Sequence, residues 1–150
     1  MTRRRLLLGL ALGALAPAVA RADWHRGNNG DIPLDGDGTG WLVDVTVNGG
    51  VRGQFLLDTG ASFCVLSPTF SRRLRLPTAD SHVDLQTANG IVSAPLVRLR
   101  SLDVGGNRAS DLHAVVHVAV APPLDGVLGL NFLNHFSYAI DPRRRTLRLS

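Results

Sequence analysis

Asp58 is where the residue types of this chain most resemble chemistry. The run Gln54-Phe55-Leu56-Leu57 leads into it, Thr59-Gly60 follows, and Ala61-Ser62-Phe63-Cys64-Val65-Leu66 carries the chain away. A carboxylate at the end of a half-buried strand loses hydration, so it must gain hydrogen bonds or hold a proton. Gly60 permits a tight turn whose backbone N–H groups point back at the Asp58 oxygens, and the Thr59 hydroxyl can fix the loop. Such an acid is suited to exchange protons with a water or a carbonyl oxygen.

Other chemistry-bearing residues are weaker candidates. Cys64 is the single cysteine, which excludes an intramolecular disulfide; in an apolar strand it reads as a small buried hydrophobe. His113 and His117 are four apart with Asp111 nearby, but the pattern around them is that of a strand, and zinc catalysis ordinarily takes three protein ligands. No metal site and no cofactor is expected. Asp125 lacks the Thr-Gly context of Asp58 and reads as a loop residue.

The elements that must hold Asp58 are mostly strands. From Trp41 apolar residues alternate, Asn48-Gly49-Gly50 turns the chain, and residues 51–57 return as a second strand ending at Asp58. Residues 63–66 form a third strand. Ser67-Pro68 supplies a helix cap followed by proline at the first helical position, with Phe70 and Leu74 on one face. Residues 82–88 and 91–100 flank Asn89-Gly90 as a hairpin, and Gly105-Gly106-Asn107 turns another strand pair. Asn131 is positioned to cap a short helix over 132–136, and a last hairpin turns at Pro142-Arg143-Arg144-Arg145. Seven or eight short strands with two short helices predict an all-β fold, a small closed barrel.

Three segments in order resemble the retropepsin-like aspartic proteases, in particular their small exported bacterial branch, over roughly residues 40–150. They are Leu56-Leu57-Asp58-Thr59-Gly60-Ala61-Ser62 with Val65-Leu66-Ser67, the turn Thr87-Ala88-Asn89-Gly90, and Gly126-Val127-Leu128-Gly129-Leu130-Asn131-Phe132-Leu133. The resemblance implies a retropepsin-like barrel with one lobe per chain and Asp58 as the catalytic acid. It also implies that Thr59, Gly60 and Ala61 form the active loop, supported from beneath by Val127, Leu128 and Gly129. Thr87, Ala88, Asn89 and Gly90 would be the flap over a peptide or protein substrate. Such enzymes need two carboxylates sharing a proton, and this chain has one Asp-Thr-Gly. The implied partner is therefore a second copy: a homodimer with paired Asp58 residues, Thr59 bonding across the axis and residues 146–150 pairing at the interface. Pepsin-like enzymes carry Ser or Thr where Ala61 stands. With one donor fewer to the ionised acid, the dyad is expected to titrate higher, giving a mildly acidic optimum. The alternative is a dimeric peptide-binding or scaffold module of the same fold that does not cleave.

Residues 1–22 read as an export signal: Arg3-Arg4-Arg5, an apolar stretch over 6–16, then small residues. The paired arginines resemble a twin-arginine signal. Export, to a periplasm, is the expected destination, with contact to the membrane confined to that segment unless it stays uncleaved as an anchor. Residues 23–39, rich in Gly, Asn and Asp, read as a flexible leader before a domain over 40–150. All 16 basic residues are arginine and all 12 acidic residues aspartate. Four arginines precede Asp23, so the remainder is formally neutral and gives no reason to expect nucleic acid as a partner.

Overall fold

A computed structural model describes residues 30–77, 81–120 and 122–150. The signal segment and the first part of the leader lie outside the described residues.

Six strands close a barrel: β2 (Trp41–Val47), β3 (Val51–Leu57), β4 (Cys64–Leu66), β6 (Gly90–Val104), β7 (Asn107–Val116) and β8 (Gly126–Leu128). Their order around the barrel is β2-β3-β8-β4-β7-β6, and a β2–β6 pairing at Thr46 and Val47 completes the circle. β5 (Ser81–Thr87) extends outward as a hairpin with β6. Alternation works as the sequence predicts: in β2 Val43, Val45 and Val47 are buried while Asp44 is exposed. They meet Phe55, Leu66, Leu99, Leu102 and Leu128 in one core.

The turns follow their residues. Asn48 (φ 51°) and Gly49 (φ 77°) both take positive φ, as do Gly105 (60°) and Gly106 (89°), the geometry of tight hairpins. At the outer hairpin the centre is Ala88-Asn89, one residue earlier than the Asn89-Gly90 reading, because Thr87 pairs with Gly90 and Gly90 (φ 111°) takes the positive φ. The Thr87 hydroxyl donates to the Gly90 carbonyl at 2.8 Å and accepts from the Asn89 N–H at 3.2 Å. That arrangement satisfies the tip without needing two left-handed residues. In β7, Asp111 (φ 58°) interrupts the ladder between the Leu99–Leu112 and Ser101–Ser110 pairs without shifting the register, and its carboxylate meets Arg98. The guanidinium hydrogen bond holds the Asp111 carboxyl below its ordinary range.

α1 (Pro68–Arg73) begins as expected: the Ser67 Oγ accepts from the Phe70 N–H at 3.0 Å. Its Phe70 lies edge-on to Phe55, with ring centroids 5.4 Å apart. α2 (Leu130–Leu133) starts two residues before the expected helix and is capped at Gly129, so Asn131 is not its cap.

A second, three-stranded sheet corrects the leader boundary. β1 (Asp31–Pro33) pairs with β10 (Thr146–Leu149), which pairs in turn with β9 (Tyr138–Asp141). Ile32 and Leu34 are buried with Leu147 and Leu149 in the main core, so the domain begins before residue 40. Glycine and aspartate dominated the composition there and hid two alternating apolar residues. Asp31 is buried; its Oδ1 accepts from Arg148 Nε and Nη2 at 3.0 and 2.9 Å, while Arg144 Nη2 approaches Oδ2 at 2.7 Å without hydrogen-bond alignment. This clamps the first strand onto the last. Because β10 is the middle strand, both its edges are filled within the chain, and among the described residues the outer edges of β1 and β9 are the ones this sheet leaves without a strand partner.

Candidate active site

The Asp58 loop is assembled by a strand that arrives late in the chain. β3 and β4 are joined by residues 58–63, yet β8 lies between them: parallel to β3, with Leu57 opposite Leu128, and antiparallel to β4, with Val65 opposite Val127. The loop must therefore arch over the end of β8, which presents Asp58 at the strand ends.

The local bonds fix that arch. The Asp58 N–H donates to the Leu128 carbonyl at 3.1 Å, extending the β3–β8 ladder into the loop. Asp58 Oδ1 accepts from the Gly60 N–H at 2.8 Å, the turn-to-carboxylate bond that the Thr-Gly sequence predicts. Asp58 is half-buried, Thr59 and Gly60 are exposed, and Ala61 is fully buried among Val65, Val120 and Val127. One carboxylate with an anchored oxygen thus faces outward from an apolar foundation.

Gly129 sits directly beneath. A Cβ there would lie 2.4 Å from the Phe63 carbonyl oxygen and 2.9 Å from that of Ala61. Its φ of −104° is open to any residue, so space alone demands glycine. Past Gly129, the Leu130 N–H donates to the Ala61 carbonyl at 2.8 Å and the Asn131 N–H to that of Ser62 at 3.1 Å. The structure thus brings Asp58, Gly60, Ala61, Leu128 and Gly129 into one cluster. Thr87, Ala88, Asn89 and Gly90 form the tip of a separate hairpin, with Ile91 exposed beside it.

Asn131 is a residue that reasoning from sequence assigned to the wrong task. Its Oδ1 accepts from the Cys64 N–H at 2.8 Å and its Nδ2 donates to the His113 carbonyl at 2.7 Å, tying the end of the active loop to β7. The signal available was its polarity within Leu-Asn-Phe-Leu, since an amide packed among apolar neighbours must find both kinds of partner.

The remaining candidates are structural. Asp125 accepts from the Gln54 N–H at 3.1 Å and from Arg73 at 3.1 Å, while its own backbone bonds Gln54 and Ser67. It knots β3 and α1 to the start of β8. His117 Nδ1 accepts from the Ala119 N–H, and His113 contributes its carbonyl to Asn131. Cys64 is fully buried; burial pushes its thiol up to about 12, against the opposing hydrogen bond from the Gly129 N–H to Sγ at 3.4 Å. At pH 8 the thiolate is then about one part in ten thousand. Iodoacetamide is expected to alkylate native Cys64 at least about a hundredfold more slowly than the urea-unfolded chain. Mass spectrometry of timed samples measures this, and equal rates would contradict the buried placement.

Residues 43–132 match the protein family described as Aspartyl protease. Among solved structures the chain is similar to a retropepsin-like aspartic protease from Rickettsia conorii, at 21% identity and a TM-score of 0.60, over 79% of this chain and 86% of that one. No curated protein matches. With the Asp-Thr-Gly loop, the strand threaded beneath it and a match spanning more than half its length, the chain belongs to the aspartyl protease family and has its retropepsin-like fold.

Proposed function

We propose that the protein is an aspartic endopeptidase that works as a homodimer. The observation that carries this reading is the Asp58 loop: one oriented, half-buried carboxylate per chain, held by the Gly60 N–H over the closed end of β8. Peptide hydrolysis by carboxylates takes two of them, one to accept a proton from water and one to donate to the carbonyl oxygen. Two copies related by a two-fold axis supply the pair.

In this mechanism the Asp58 side chains share one proton. Water held between them attacks the scissile carbon as the ionised member takes its proton. The protonated member passes its proton to the carbonyl oxygen, giving a tetrahedral diol. As the C–N bond breaks, the acid that took the water proton delivers it to the departing nitrogen, and the other carboxylate takes a proton from a diol hydroxyl, which restores the pair with one shared proton. Thr59 braces the two loops, Gly60 offers backbone to the peptide, and residues 87–90 close over an extended substrate. Because β10 has no open edge, the copies meet through the active loops together with the outer edges of β1 or β9. The setting is the exported one that residues 1–22 suggest.

The test is peptide-library cleavage measured across protein concentration. Below the dimer dissociation constant, tenfold dilution is expected to lower the rate per chain by nearly tenfold. Constant turnover per chain would rule out a shared site. A folded dimer that binds peptides without cutting them at any pH would make the protein a binding module instead.

A further inference from the structure

Away from Asp58, an open groove of about 700 Å³ is lined by Arg52, Arg72, Arg73, Arg75 and Thr69 against the β2–β3 turn, with no acidic residue in its lining. It lies at the start of β3, whereas Asp58 follows that strand's end, about 20 Å along the chain direction. The concentration of charge is unlike the remainder of residues 23–150, where 8 arginines stand against 12 aspartates once these four are set aside.

The groove has a fixed wall and a reachable rim. Arg73 is committed to the fold: it bonds Asp125 at 3.1 Å and the Arg52 carbonyl at 3.0 Å, and its guanidinium lies 5.1 Å from the centre of the Phe70 ring. Arg72 is exposed, steadied by the Thr69 hydroxyl at 3.1 Å. Arg75, exposed at a positive φ of 51°, follows the helix end. On the rim, Arg72 and Arg75 present guanidinium groups, whose planar forks match phosphate oxygens two at a time. They flank a shallow opening, which suits phosphates presented on a surface better than one enclosed small molecule.

We propose that this groove docks the protein onto an anionic phospholipid surface through the lipid phosphates. The binding is peripheral and electrostatic, separate from any contact made by residues 1–22. An exported protein, as those residues suggest, meets such a surface on its way.

Sedimentation of the full chain with vesicles tests this, using phosphatidylcholine alone and phosphatidylcholine mixed with phosphatidylglycerol. Arg72→Gln with Arg75→Gln is expected to weaken partitioning onto the mixed vesicles by about 25-fold, about fivefold for each arginine, and to leave phosphatidylcholine binding unchanged. Added salt should weaken the wild-type preference in the same direction. Arg143→Gln with Arg145→Gln removes the same charge from the β9–β10 turn and is expected to change partitioning by less than about threefold. Thermal melts establish that each variant folds. The proposal is overturned by the absence of any preference for the mixed vesicles, or by an equal loss in both variant pairs. It also falls if inorganic phosphate, at matched ionic strength, displaces the protein where chloride does not, since the groove would then be a site for the free anion.

Discussion

Asp58→Asn is expected to abolish the proposed peptide hydrolysis, by at least about a thousandfold, with the fold intact. The asparagine keeps an Oδ1 acceptor for the Gly60 N–H now bonded at 2.8 Å, and the position is only half-buried, so neither the turn nor the core is disturbed. What disappears is the proton exchange: an amide neither accepts a proton from water at these pH values nor donates one as a carboxylic acid does. In a homodimer one substitution removes both members of the pair. Initial rates on a cleaved peptide, beside a thermal melt of the same preparation, measure the effect. A variant that melts like the wild type and still cleaves at more than about one hundredth of its rate would locate the chemistry elsewhere.

Gly129→Ala should be the most damaging small substitution near the site. A methyl group would fall 2.4 Å from the Phe63 carbonyl oxygen and 2.6 Å from its carbon, and these are backbone atoms of the segment that carries Asp58 toward β4. They cannot rotate aside, so the loop must lift from β8 or the hydrogen bond from Leu130 to Ala61 must break. Overpacking of this kind costs about 2–4 kcal/mol. Displacement of Asp58 should lower the turnover of the molecules that remain folded by tenfold or more, since an error of about 1 Å at a catalytic group has consequences of that size. Urea unfolding and kcat on the same samples separate the two effects. Gly50→Ala is the comparison: nothing lies within 4 Å of its added Cβ, so its stability should change by less than about 0.5 kcal/mol. Equal destabilisation by both substitutions would show that the space beneath the loop is not the constraint.

These two residues were legible in different ways. Asp58 announced itself through its neighbours in sequence: an apolar strand, a Thr-Gly turn and a second apolar strand describe its environment almost completely, and the Gly60 bond to Oδ1 is made two residues away. Gly129 could be placed only through resemblance, because the atoms that forbid a side chain there are those of Phe63 and Ala61, more than sixty residues earlier. Asn131 shows the same limit. Its local context suggested a helix cap, but the stronger partners, the Cys64 N–H and the His113 carbonyl, arrive from other strands. The first strand was missed for a related reason: Asp31 and Ile32 sit in a segment whose composition reads as a linker, and they become ordered by pairing with Arg148 and Leu147 at the far end of the chain.

By itself the sequence determined what acts over a few residues. The alternation of valines in β2, the left-handed turns at Asn48-Gly49 and Gly105-Gly106, the Ser67 cap and the Asp-Thr-Gly turn all depend on side chains and backbone within hydrogen-bonding reach along the chain. Only the tertiary structure decided that β8 enters between β3 and β4, that β10 is enclosed by β1 and β9, and that Arg52 of β3 lines one groove with Arg72 and Arg73 of α1 and Arg75 just past it. Those arrangements join residues whose separation in sequence carries no local signal, and they are selected by burying a shared core while pairing the strands that close the barrel.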